Sequence, residues 1–283
     1  MTPSFGLIIV GDEILSGKRA DKHMSKTIEL LAARGLSLSY ADYVGDDPAR
    51  ITSTLARAVQ AAERGEVVFS CGGIGATPDD HTRQCAARAL GVDLALHPEA
   101  KRLIQERMQD VAREQGLPYE PERDDNIHRL NMGTFPLGTG IIPNPYNKIP
   151  GFSWQPASGA APAGAKAAGG LYFFPGFPVM AWPMMEWVLD TRYAHLHRKE
   201  AYVEKSIIVL GSMEATLTPL MVDIEAQHSG INVFSLPSVD HPQYGRHIEL
   251  GVKGAPEAVN AAYPALLAGL HRFDYKLGPE LVR

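Results

Sequence analysis

Hydrophobic and polar positions fall into a repeating order over the first hundred residues. Phe5 to Val10 (FGLIIV) is an almost unbroken apolar run, the pattern of a strand buried on both faces, and it stops at Gly11-Asp12-Glu13. From Asp21, a cap residue, Met24, Ile28 and Leu31 recur at helical spacing until Gly35. Leu36, Leu38 and Tyr40 alternate with Ser37, Ser39 and Ala41, which predicts a second strand ending at Val44. Asp47 as cap and Pro48 as first helical residue open the next helix, with Ile51, Leu55 and Val59 as its buried stripe. Val67, Val68 and Phe69 form a third strand between Gly65 and Gly72. A helix from Pro78 to Leu90, a short strand at Leu94 to Leu96 and a helix from Pro98 to Gln115 follow.

This alternation predicts a doubly wound, mostly parallel α/β sheet, whose ligands bind beyond the carboxyl ends of the strands. Leu117 to Asn126 is polar and predicts a loop. From Asn131 onward, Pro136, Pro143, Pro145 and Pro150 forbid a continuous helix. Gln155 to Gly170 is a small-residue stretch that predicts a mobile surface loop. Leu171 to Phe174 is a strand, residues 175–178 a rigid turn, and Met180 to Arg198 a helix with Pro183 in its first turn and Met184, Val188 and Leu189 facing inward. Beyond it the order becomes strand (Ala201 to Leu210), helix (Glu214 to His228), two strands (Ile231 to Phe234 and His247 to Lys253) and helix (Pro256 to Leu270). The expected division is therefore an α/β domain over 1–198 and a smaller α+β domain over 199–283.

Composition narrows the function classes. With 283 residues, 45% hydrophobic and 21% charged, the chain has enough apolar material for a sizeable core. A formal net charge of −5 gives no general attraction to nucleic acid or to an anionic membrane, so phosphate recognition has to be local. Cys71 and Cys85 are the two cysteines, with no CxxC spacing, which argues against a disulfide framework or structural zinc and favours a reducing cytoplasm. The amino-terminal apolar run is too short, and too soon interrupted by Asp12 and Glu13, for a signal peptide or membrane span.

The candidate chemistry lies in VVFSCGGIGATPDDHT, Val67 to Thr82. Gly72, Gly73 and Gly75 permit positive φ and close approach of backbone to a ligand. Thr77, Pro78 and Asp80 have the spacing of a capped helix start, so free N–H groups are expected to converge on a phosphate or carboxylate. Asp79 and Asp80 serve either as helix-capping acids or, with a divalent cation between, in a metal-assisted phosphate site. Two further strand ends carry glycine and acid, Gly11-Asp12-Glu13 and Gly45-Asp46-Asp47, with Asp46 the freer carboxylate of its pair. The loop fails as a dinucleotide fingerprint at Pro78, and Ser16-Gly17-Lys18-Arg19 fails as a Walker loop. Neither thiol has a partner to activate it. Among ten scattered histidines, His81 is the one candidate ligand or acid–base residue, and His241 and His247 lack partner spacing.

These blocks resemble a family. Gly11-Asp12-Glu13-Ile14-Leu15 with Gly17, Val44-Gly45-Asp46-Asp47, GGIGATPDDHT, Asn144 to Phe152 and Pro175-Gly176-Phe177-Pro178 are similar, in order, to the molybdopterin-binding domain of MoaB/Mog type. Within it they resemble the amino-terminal part of the competence/damage-inducible protein A family, and LGSMEATLTPL resembles the segment that follows there. Ala76 replaces a usual proline, and Asn147-Lys148 replaces Gly-Thr. Asn147 is able to take the left-handed turn conformation, and Lys148 adds a cation that could face phosphate. The chain ends at Arg283 without the family's amidohydrolase domain, so deamidation of nicotinamide nucleotide is not expected.

The resemblance implies a small phosphorylated ligand, molybdopterin or an adenine nucleotide, and a homo-oligomer, dimer or trimer. It leaves two activities open: a metal-dependent pyrophosphatase acting on ADP-ribose or a similar nucleotide, and a non-catalytic pterin or nucleotide binder linked to molybdenum cofactor metabolism. On that model Asp80 and Asp46 are catalytic, and Asp12, Asp46 and Asp80 hold a divalent metal such as magnesium. Gly11, Asp12, Glu13, Gly72, Gly73, Gly75, Thr77, Asn144, Lys148, Gly151, Pro175 and Gly176 line the ligand.

Overall fold

A computed structural model describes residues 3–156, 169–197 and 203–283. The chain divides into two compact units, with the boundary after His197. Most of the small-residue stretch expected to be mobile, the start of the strand drawn from Ala201 and the expected 198/199 boundary lie outside the described residues, whereas the helix drawn to Arg198 ends at Arg192, inside them.

In the larger unit the elements run β1 (Phe5–Val10), α1 (Asp12–Leu15), α2 (His23–Ala32), β2 (Leu38–Val44), α3 (Pro48–Glu63), β3 (Val67–Cys71), α4 (Thr82–Leu90), β4 (Leu94–Leu96) and α5 (Pro98–Glu114). They continue with α6 (Asp124–Asn131), β5 (Thr134–Pro136), β6 (Gly140–Ile142), β7 (Gly151–Trp154), β8 (Gly170–Phe174) and α7 (Pro178–Arg192). The main sheet has the order β2-β1-β3-β8-β7-β6. Its first four strands are parallel, and β7 and β6 add an antiparallel edge. β4 and β5 pair separately.

Alternation along the buried strands sorts side chains to two faces. Phe5, Leu7 and Ile9 of β1 join Val67 and Phe69 of β3 and Tyr172 and Phe174 of β8 under α2 and α7. Ile8, Val10, Val68, Leu171 and Phe173 face the opposite way, onto Ile51 and Leu55 of α3 and Cys85 and Ala86 of α4. All six residues of β1 are buried, as its apolar run requires. Phe135, Phe152 and Phe173 stack in series at centroid distances of 4.8 and 4.2 Å, extending the second face towards β7. β2 lies to one side of β1 and β3 to the other, so strand order reverses at β1. The crevice of a doubly wound sheet opens at that reversal.

Several expectations give way. Asp21 does cap α2, accepting from the N–H groups of His23 (2.8 Å) and Met24 (3.1 Å). The buried stripe, however, is His23, Thr27, Leu30 and Leu31, while Met24 and Ile28 are exposed. The helix expected from Pro78 starts at Thr82. α7 begins at Pro178, which places Pro183 inside the helix rather than in its first turn. The polar loop after Leu117 ends in α6, and the proline-rich stretch holds the short strands β5 and β6.

The smaller unit contains β9 (Val203–Leu210), α8 (Glu214–Gln227), β10 (Ile231–His241), β11 (Gly245–Gly254), α9 (Pro256–Leu270) and β12 (Lys276–Val282). Its antiparallel sheet runs β10-β11-β9-β12, one strand more than the sequence pattern suggested. Both helices share a core with one face of that sheet, around Val209, Leu250, Leu217 and Leu266. The His241 ring stacks on Tyr244 and meets His247 edge-on at 5.2 Å.

Candidate functional site

A cleft of about 430 Å³ opens in the larger unit, where the chain leaves β1, β3 and β8. Residues 72–77 form one wall, and Gly11 and Glu13, Asp46 and the 175–177 turn contribute to the others. Asn144, Asn147, Ile149 and Pro150 close the far side with Met180.

The glycine wall is held in an unusual course by the start of α4. Gly72 has φ 103° and Gly73 φ 68°, and a Cβ on Gly72 would lie 2.2 Å from the Val10 carbonyl oxygen. No side chain fits there. The Thr82 hydroxyl donates to the Gly72 carbonyl (3.0 Å), and the Thr82 N–H donates to the Gly73 carbonyl (2.9 Å). Arg83 Nη1 donates to the Ile74 carbonyl at 2.6 Å. A trans peptide points its carbonyl and the following N–H in opposite directions. Three consecutive carbonyls turned towards α4 therefore turn the N–H groups of Gly73, Ile74 and Gly75 away from it. Among the described residues nothing accepts from these three N–H groups. A run of outward amides of this kind can receive an anion.

Asp80 does not start a helix. Its Oδ2 accepts from the Thr77 N–H (2.8 Å) and the Thr77 hydroxyl (2.5 Å), closing a separate turn over 77–80 ahead of α4. The local capping signal is satisfied as a turn, because Thr82 is already committed to Gly72 and Gly73. Gly75, expected to use positive φ, does not; a Cβ on it would lie 2.6 Å from Asp80 Oδ2.

Glu13, Asp46, Asp79 and Asp80 all line the cleft, and Arg19 brings a guanidinium. Asp12 lies behind the lining. The Asp12 N–H donates to Asp46 Oδ2 (2.9 Å) and the Asp46 N–H donates to Asp12 Oδ1 (3.1 Å), a reciprocal clasp between the loops after β1 and β2. Burial pushes the Asp46 carboxyl above its ordinary range, the Asp12 N–H opposes this, and the negative charges of Asp12, Glu13 and Asp79 add to the rise. Among the described residues no three of His, Cys, Asp or Glu come together as a group that could hold a metal ion by themselves.

Lys148 corrects another expectation. It, rather than Asn147, takes the left-handed conformation, with φ 63°. Its ammonium pairs with Asp110 at 2.6 Å on α5 instead of lining the cleft. Asn144 holds the loop instead: its Nδ2 donates to Asn147 Oδ1 (2.8 Å) and to the Ile149 carbonyl (2.9 Å), and its Oδ1 accepts from the Tyr146 N–H (3.0 Å). Gly151 packs inside the sheet, where a Cβ would meet the Phe173 carbonyl at 2.3 Å. Pro175 and Gly176 line the cleft, with the Gly176 carbonyl 3.0 Å from Nε2 of the buried His23. His81 lies outside the lining, and both cysteines are buried free thiols. Burial lifts the Cys71 thiol well above its ordinary value, so it is not a nucleophile.

Sequence reasoning passed over Arg19, Asn147, Ile149, Phe177 and Met180 as lining residues, and Arg83 behind them. Arg19 follows a Ser-Gly-Lys stretch that fails as a Walker loop, Asn147, Ile149 and Phe177 sit in family-like blocks whose turn residues carry the visible signal, and Met180 reads as helix core.

A family model described as "Probable molybdopterin binding domain" matches residues 6–195. A CinA-like protein of Gloeobacter violaceus is 32% identical over 178 residues, which are 63% of this chain and 37% of that protein. The chain thus spans little more than a third of that relative, and the same holds for a CinA-like protein of Cyanothece, where 34% is covered. A protein of Pyrobaculum calidifontis is 26% identical over 267 residues, 93% of each chain. The crystal structure of a CinA protein of unknown function from Thermoplasma acidophilum superposes with a TM-score of 0.51 at 24% identity, covering 67% of this chain and 97% of that one, a likeness of fold. No helix among the described residues is long and apolar enough to cross a membrane.

Proposed function

Since the chain belongs to the family described as "Probable molybdopterin binding domain", we propose that its cleft binds a phosphorylated pterin or a nucleotide. The observation that carries this is the glycine wall, whose Gly73, Ile74 and Gly75 amides are turned out and unbonded. A phosphate seated there accepts from several fixed donors at no reorganisation cost. Ile149, Pro150, Phe177 and Met180 offer an apolar surface to a flat heterocycle. Glu13 and Asp46 line the same cleft and would accept from the amino edge that pterin and adenine rings share in kind. Isothermal titration with a reduced pterin phosphate, AMP and ADP-ribose, each beside its dephosphorylated counterpart, tests the reading. Equal affinity with and without phosphate would sink it.

A second reading, hydrolysis of a nucleotide pyrophosphate such as ADP-ribose, is favoured by the gathering of four carboxylates, Glu13, Asp46, Asp79 and Asp80, on the lining of one cleft. The carboxylates do not fit a metal cage made by protein alone. An ion here would be shared between one or two of them and the ligand's own phosphates, the usual habit of magnesium, and it would supply charge neutralisation. Incubation with ADP-ribose and FAD under magnesium, manganese or cobalt separates the readings. AMP release that Asp80→Asn abolishes supports hydrolysis, and no release under any metal removes it while leaving the binding reading intact.

A further inference from the structure

Arg83 is 5% exposed, yet it does not line the cleft and no carboxylate among the described residues pairs with it. Its single hydrogen bond among the described residues goes to the Ile74 carbonyl, at 2.6 Å. Satisfying one peptide carbonyl needs only a neutral donor. A buried guanidinium without a directly paired carboxylate is costly: burial here draws its pKa down, and the charge of Asp80, too far to pair with it, only partly opposes that. That charge stands directly behind the peptide whose other end is the outward Gly75 N–H.

We infer that Arg83 is a positioning residue of the phosphate cradle: it fixes the Ile74–Gly75 peptide with the N–H towards the cleft and stands behind the loop as the positive charge that a bound phosphate group faces. This rests on the phosphate reading proposed above and extends it to a residue that touches no ligand. An anion on the cleft side and the guanidinium on the α4 side complete a charge pair across a single peptide plane. Thr82 performs the same orienting task for the two preceding peptides without charge.

The test uses ¹⁵N-labelled protein titrated with inorganic pyrophosphate, following the Gly73, Ile74 and Gly75 amides. In the unaltered protein these three should shift together with one affinity. Arg83→Gln keeps a donor and drops the charge; it should weaken pyrophosphate roughly tenfold or more, the loss of a charge-assisted contact. Arg83→Lys keeps the charge and should recover most of that loss, a rescue that a purely structural role would not give. Binding to Arg83→Gln within twofold of the unaltered protein, or Arg83→Lys as weak as Arg83→Gln, overturns the assignment of Arg83 while leaving the cradle in place. Unresponsive amides in the unaltered protein overturn the cradle itself, and the inference with it. A measurement without a variant guards against misfolding: the Arg83 Nε–H and Ile74 carbonyl-carbon resonances should move with the same affinity as the Gly75 amide, and resonances that stay still overturn the inference.

Discussion

Gly73 and Gly75 stand two residues apart in one wall of the cleft, yet alanine at each tests different physics. At Gly73 the backbone is left-handed, with φ 68°, which costs an alanine about 1–2 kcal/mol. The new Cβ would also lie 2.2 Å from Thr82 Oγ1, and Thr82 is fully buried, so its hydroxyl must give up the Gly72 carbonyl at a further cost of about 1 kcal/mol. The smaller freedom of alanine in the unfolded chain returns about 0.4–1 kcal/mol. The expected net loss is about 2 kcal/mol. At Gly75 φ is not positive, and the nearest atom is Asp80 Oδ2, the end of a partly exposed side chain that can swing aside. Gly75→Ala should therefore stay within about 0.5 kcal/mol in stability by the same unfolded-state offset, while parting Asp80 from Thr77. Urea unfolding followed by tryptophan fluorescence suits the comparison, because all 3 tryptophans, Trp154, Trp182 and Trp187, lie in the larger unit. With a slope of about 2 kcal/mol/M, Gly73→Ala should lower the midpoint by about 1 M. Equal losses at the two positions, or a Gly73→Ala variant within 0.5 kcal/mol of the parent on the ~1 kcal/mol scale typical of mutations, would refute the account of how α4 shapes the loop.

Asp46 is raised by burial and by neighbouring carboxylates, so the folded chain holds its proton more tightly than the unfolded chain, and stability falls as pH rises above the ordinary carboxylate value. Asp46→Asn keeps an oxygen for the Asp12 N–H and should be more stable at neutral pH, by under about 1 kcal/mol because solvent screens the group; thermal melts should show the gain shrinking towards about pH 4. Asp190 is held low by its two-pronged contact with Arg34 (2.6 and 2.7 Å), so its contribution is complete above the ordinary carboxylate value and is lost as pH falls through the lowered one. Asp190→Asn should cost under about 1 kcal/mol at pH 7, Asp190 being half exposed, and should converge with the parent in acid. Lys148 combines left-handed strain with a partly exposed ion pair to Asp110. Lys148→Gly should therefore be more stable than Lys148→Ala by about 1 kcal/mol in denaturant titrations, since both lose the pair and only glycine relieves the backbone.

The strands and their carboxyl-end loops were legible because burial on two faces leaves an apolar run that few other structures produce, as in FGLIIV. The Asp47-Pro48 helix start was legible for a local reason, and Asp47 accepts from the Arg50 N–H at 2.8 Å. Thr77-Pro78-Asp80 carries an equally good local signal and misleads, because the bonds from Thr82 to Gly72 and Gly73 join residues nine and ten apart and no local pattern announces them. The buried face of α2 was displaced for a different cause: His23 and Thr27 go inside by bonding to Gly176 and to the helix backbone, while Met24 and Ile28 stay out. Arg83 was invisible because arginine in a sequence signifies surface until a structure shows the carbonyl it reaches. β12 and the antiparallel β6 and β7 are recognised by their partners and not by their own composition.

The three cleft-forming turns come from residues near 11, 72 and 176, yet they leave strands that are immediate neighbours in the sheet. The order in which the chain folds is therefore also the order in which the site comes into being. Two walls can assemble from the first eighty residues, but the third waits for β8 to dock beside β3, a pairing that closes a loop of about a hundred residues and belongs among the slow events of folding. A ligand that needs all three walls would bind none of the earlier species. Its affinity would then act wholly on the last step, drawing the finished sheet out of a population of partly built ones by mass action.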